Sequence, residues 1–186
     1  MSIRKTPKAR HQDLRESIAP GSTAYAWPRP DKQEKGWASV PRSLPLILGV
    51  LNNKELSGDA NVSLVYLDLL CRNREGLIEI LDESEHASRC GIGLRRWRDR
   101  LKILADLGFI EVHPKGKKPF GFVVIIHPNS AMDRLHRLGR VDAGTWNDFS
   151  KLLSETNATD YPVHPENTAK LSVMDGGALA SGDDSD

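Results

Sequence analysis

Two cysteines in 186 residues are too few for the disulfide framework of a small secreted domain. Cys71 and Cys90 fall within predicted helices and are expected to be buried thiols in a reducing compartment. No apolar run approaches the roughly 18 residues that a membrane-spanning helix needs, and the basic N-terminus lacks the apolar core of a secretion signal. No membrane association is therefore expected, and the protein reads as cytoplasmic and nucleoid-associated. Catalytic patterns are missing too. There is no Gly-x-x-x-x-Gly-Lys-Ser/Thr phosphate loop, no Gly-x-Ser-x-Gly elbow and no His-Glu-x-x-His pair. His86 and Cys90 sit four apart on one helix, yet no second pair at zinc spacing accompanies them, so they read as packing residues. His113 and His127 read as strand-end residues. Neither an enzyme nor a bound metal or cofactor is expected.

Net charge is also scarce, at +1, but it is unevenly placed. Residues 89–118 hold nine Lys or Arg against three acids, so the cationic excess is concentrated in one stretch. Residues 1–35 carry eight basic and four acidic residues with four prolines and little periodicity, which predicts a disordered basic arm. Tyr25 and Trp27 within it are expected to dock back on the domain. Residues 157–186 hold six acids and one lysine and read as a disordered acidic tail. Between them, residues 36–156 are expected to form one domain, with its core at 61–128.

The basic stretch has a readable order. Leu94, Trp97, Leu101 and Leu104 recur at the helical period, while Arg95, Arg98, Asp99, Lys102 and Asp106 fall opposite and Arg96 and Arg100 on the flank. Gly108 ends this helix. Asp82 and Glu85 have the spacing of a capping pair, starting a short helix to Cys90 with the small Ala87 at its crossing point. Gly91-Ile92-Gly93 forms the turn between the two helices. Downstream, Phe109 to His113 and Phe122 to Ile126 predict two strands of a hairpin whose tip carries Lys115, Lys117 and Lys118. Leu77 to Ile80 predicts a third strand pairing with that hairpin.

Helix, glycine turn, basic helix and lysine-tipped hairpin together resemble the winged helix-turn-helix DNA-binding superfamily of bacterial regulators and of plasmid and phage replication proteins. The residues carrying the resemblance are Tyr66-Leu67-Asp68-Leu69-Leu70, Ala87 with Gly91-Ile92, and Leu101 with Leu104 through Ile110. They cover about a third of the chain. The resemblance implies a mainly α fold with a small β-wing, extra N- and C-terminal helices and disordered tails. It also implies sequence-specific binding of double-stranded DNA, with a bacterial transcriptional regulator as the leading reading. Arg95, Arg96, Arg98 and Lys102 would face the major groove, and Asp99 would accept from a cytosine amine or orient an arginine. Lys115, Lys117 and Lys118 would lie on the backbone. Gly93 stands where many such domains place a Ser or Thr that caps the helix and touches a phosphate.

Outside that core, Ser43 with Pro45 starts a helix through the apolar run to Leu51, Asn52 to Asn61 reads as a polar connector, and Val62 to Leu70 is a further helix. Ala131 to Leu138 and Ala143 to Leu153 are helical in pattern. The second aligns Trp146, Phe149, Leu152 and Leu153, a stripe that would serve a homodimer or fold back on its own domain, with equal weight on each. Two other functions fit the same residues. One is a replication or partition protein of a plasmid or integrative element. The other, of a different class, is a winged-helix interaction module anchored by Trp146 and Phe149.

Overall fold

The computed structural model describes residues 7–22, 41–59, 61–73, 75–159 and 161. Among these, eight helices surround one small antiparallel sheet. In chain order they are α1 (Pro7–Ile18), α2 (Leu44–Leu51), α3 (Lys54–Ser57), α4 (Val62–Arg72), β1 (Leu77–Glu79), α5 (Glu83–Arg89), α6 (Leu94–Asp106), β2 (Ile110–Lys115), β3 (Lys118–Ile125), α7 (Pro128–Arg137) and α8 (Ala143–Glu155). None of the described helices is long and apolar enough to cross a membrane.

The core forms where helical stripes meet one face of the sheet. Trp97, Leu101 and Leu104 of α6, Val65, Tyr66 and Leu69 of α4, and Ile47 and Leu51 of α2 are all fully buried. Burying each such side chain contributes on the order of 1.5–3 kcal/mol, so this stripe fixes the roll of α6 about its axis and sends the intervening arginines outward. Tyr66 meets Phe109 edge to face at 5.2 Å, joining α4 to the start of the hairpin.

The sheet runs β1-β3-β2, with β3 central. Ile78 faces Val123, and Ile110 faces Ile125. Because side chains alternate along a strand, Val123 and Ile125 enter the helical core while Phe122, Val124 and Ile126 enter a second cluster behind the sheet. That second apolar face needs cover. Ile18 and Ala19, at the end of α1, supply it together with Leu77, and the Arg15 guanidinium donates to the Glu75 carbonyl at 3.1 Å. Pro7–Ile18 is thus a docked helix, where composition alone predicts a disordered arm. The contact is made at its C-terminal end, where Ala19 is buried and Ile18 half-buried, while the other described side chains of α1 are half-buried or exposed. Tyr25 and Trp27 and the acidic segment 162–186 lie outside the described residues.

Two further expectations are corrected, and a third is narrowed. Cys71 is exposed and Cys90 half-buried, because α4 turns Cys71 away from the Val65–Leu69 stripe. The connector 52–61 contains the short helix α3, started by Asn53, whose side chain accepts from the Glu55 amide at 2.9 Å. The apolar stripe of α8 is already covered by its own chain. Phe149 is fully buried and Leu153 is 5% exposed in the main core, and Trp146 stacks on His136 with ring centres 4.0 Å apart. Of the two uses expected for that stripe, a homodimer or a fold-back on its own domain, Phe149 and Leu153 take the second, while Trp146 and Leu152 are half-buried.

Candidate nucleic-acid interface

The pair α5–α6 is set by its turn. Cys90 ends α5, Gly91 follows at φ +64°, and the Gly91 and Ile92 amides donate back to the Ser88 and Ala87 carbonyls. That double closure needs a left-handed residue at its centre, which glycine adopts without a Cβ clash. Gly93 is then the N-cap of α6, in extended conformation and without a capping side chain. Ala87 is buried beneath the crossing, as its small size predicts.

Asp82 caps α5 by accepting from the Ser84 amide at 2.8 Å. Glu85, expected to complete that cap, pairs instead with Arg89 one turn on. Beneath the pair, buried His86 places Nδ1 2.7 Å from the Asp68 carboxylate of α4, which also holds Arg72 at 3.3 Å. Burial opposes ionisation of Asp68, but the hydrogen bonds and charges of His86 and Arg72 together outweigh it and hold its pKa below the usual carboxylate value. The same His86 ring lies 5.6 Å from Trp97. The two helices are thereby pinned to the core at one point.

The outward face of α6 divides the predicted site residues into two sets. Arg95 and Arg96 are exposed and have no ion-pair partner among the described residues; Lys102 is exposed and only 3.9 Å from Asp99, a loose pair. Asp99 thus sits against Lys102 and not against Arg95. Arg98 is different: its Nε donates to Glu83 of α5 at 2.6 Å. Arg100 pairs with Asp59, its side chain 11% exposed, and reads as a structural residue.

The hairpin holds its cations more tightly. Lys115 pairs with Glu79 of β1 and lies 5.7 Å from the Phe122 ring centre, and Lys118 Nζ donates to the Leu81 carbonyl at 3.0 Å. A register shift between His113 and Lys115 pushes the Lys115 backbone over Gly121. A Cβ on Gly121 would stand 2.5 Å from the Lys115 amide nitrogen, so only glycine fits there. Lys117, at the tip, is exposed and unpaired among the described residues. Among the described residues, Arg95, Arg96 and Lys117 are thus without an ion-pair partner, whereas Arg98 and Arg100 are paired. Lys115 and Lys118 are tied down between the hairpin and β1.

Sequence spacing missed the acids that do this tying. Glu79, Glu83 and Asp59 lie 36, 15 and 41 residues from their partners Lys115, Arg98 and Arg100, beyond any local periodicity. The one usable signal was the clustering of Glu79, Asp82 and Glu83 just upstream of the basic stretch. Among the described residues, no group of three or more His, Cys, Asp or Glu is placed to hold a metal. No protein-family model matches the chain, and no curated protein or solved structure matches it either.

Proposed function

We propose that the chain is a sequence-specific double-stranded DNA-binding protein built as a winged helix-turn-helix, acting as a bacterial transcriptional regulator. In this reading α5 and α6 are the helix-turn-helix, α6 enters the major groove, and β2–β3 is the wing. The observation that carries it is that Arg95 and Arg96 have no ion-pair partner among the described residues, on the solvent face of a helix whose opposite face is locked by Trp97, Leu101 and Leu104. Surface arginines that served only to stabilise α6 would pair at helical spacing, a gain of a few tenths of a kcal/mol per pair. These two do not. Lys102 and the unpaired Lys117 add cations on the same helix and at the hairpin tip. Gly93, Arg98, Asp99, Lys115 and Lys118 complete the proposed contact set, with Lys115 already paired to Glu79 and Lys118 to the Leu81 carbonyl.

An interaction module has less support, since Phe149 is fully buried and Trp146 is stacked on His136. A gel shift with pooled genomic fragments at 50 and 200 mM salt tests the proposal. A retained complex that weakens about a hundredfold or more between those salts is expected for a protein touching several phosphates. A complex indifferent to salt, or none at all, removes the reading.

A further inference from the structure

Arg98 and Arg100 each meet one carboxylate, but by different atoms. Arg100 presents a terminal nitrogen to Asp59, so its end is spent. Arg98 is held only through Nε, by Glu83 Oε2 at 2.6 Å, and no other polar contact of Arg98 exists among the described residues. Glu83 is itself enclosed, with 12% of its side chain exposed against 43% for Arg98. A largely enclosed carboxylate thus grips the inner edge of a guanidinium whose outer end stands in solvent. That outer pair of N–H groups is the edge that matches the O6 and N7 acceptors of a guanine.

We propose that Glu83 is a positioning residue for base reading: it fixes Arg98 so that the terminal nitrogens are pre-aimed at one guanine in the major groove. This rests on the DNA-binding reading above. A long arginine side chain loses much rotamer freedom on binding, and a partner that has already frozen it removes part of that cost. Arg95 lies three residues before Arg98 and Lys102 four after, so both share its side of the helix. Glu83 comes from the neighbouring helix, so the crossing of α5 and α6 sets where Arg98 points.

The test is selection from duplexes with a randomised central 16 base pairs, by wild type, Glu83→Gln and Arg98→Ala. Dissociation constants on the selected and on random duplex are then measured at one salt concentration. Wild type should enrich a motif containing a guanine that both variants lose. Glu83→Gln should bind the wild-type motif about tenfold more weakly, with affinity for random duplex unchanged or raised, because a carboxylate has left a cationic surface. If Glu83→Gln keeps the guanine and tightens on both duplexes alike, Glu83 only masks a cation and the inference is overturned while DNA binding stands. If wild type enriches no motif and shows no salt-sensitive complex, the functional reading falls and the inference with it. Should Glu83→Gln fail to fold, Glu83→Ala, which leaves no acceptor for the Arg98 Nε, takes its place. Retained guanine preference in Glu83→Ala overturns the inference equally.

Discussion

Helix α6 and the β2–β3 hairpin both carry clustered cations, and they differ in how those cations are held. On α6 the apolar stripe takes up the packing; Arg98 and Arg100 are paired with Glu83 and Asp59, Lys102 is loosely paired, and Arg95 and Arg96 have no ion-pair partner among the described residues. On the hairpin, β3 packs into the core but the tip residues 114–119 are exposed. Lys115 and Lys118 are used to fasten it, to Glu79 and to the Leu81 carbonyl, leaving Lys117. The same residue type is thus a candidate contact in one place and a fastening in the other. What decides between them is whether the fold brings a carboxylate or carbonyl within reach, as it does for Arg98 and Arg100 on α6 and for Lys115 and Lys118 on the hairpin.

The largest expected effect comes from removing that burial. Trp97→Ala should destabilise the fold by about 3–5 kcal/mol, read as a shift in the denaturant midpoint, with any loss of DNA binding recovered under conditions that keep the variant folded. Loss of binding in a fully folded Trp97→Ala would mean that the indole has a role beyond packing. Next in size is Arg95→Ala, expected to cost about 1–3 kcal/mol on a preferred duplex and much less on a random one, with little change in stability. Equal losses on both duplexes would reassign Arg95 to the phosphate backbone.

Smaller effects come from the supports. The depressed pKa of Asp68 means that its pairing with His86 and Arg72 stabilises the fold above the ordinary carboxylate value of 3.8 and is lost as pH falls below it. Asp68→Asn should therefore be less stable than wild type near pH 6, with the gap narrowing in acid; a gap that is constant with pH would show that the carboxylate's charge is irrelevant. Gly93→Ser has the least to change. The N-cap backbone is already extended and a Cβ there meets nothing within 4 Å, so the hydroxyl can cap α6 and add a few tenths of a kcal/mol. A drop in thermal midpoint would contradict the open geometry around that position.

The elements were more legible in the sequence than their contacts. Trp97, Leu101 and Leu104 announce α6 by period, Gly91 announces the turn, and the β-branched run to Ile126 announces β3. Helix α1 was not legible, since its burial depends on an apolar sheet face built about a hundred residues later, from Phe122 to Ile126. The α8 stripe was visible but its partner was not, because periodicity shows that a face will be covered and not by what. In the candidate site, Arg95, Arg96 and Lys117 lie in the open as read. The fastening of Arg98, Lys115 and Lys118 depends on acids and a carbonyl brought near by the fold, which a count of charges does not contain.

The most direct measurement is the slope of log affinity against log salt for one labelled duplex, compared between wild type and two sets of variants. Removing a side chain that neutralises one phosphate should flatten that slope by about 0.9. If free cations are what touch the DNA, Arg96→Ala with Lys117→Ala should flatten it by nearly twice that amount, while Lys115→Ala should leave it almost unchanged and lower the thermal midpoint. A Lys115→Ala slope as flat as that of the double variant would contradict the division between free and fastened cations.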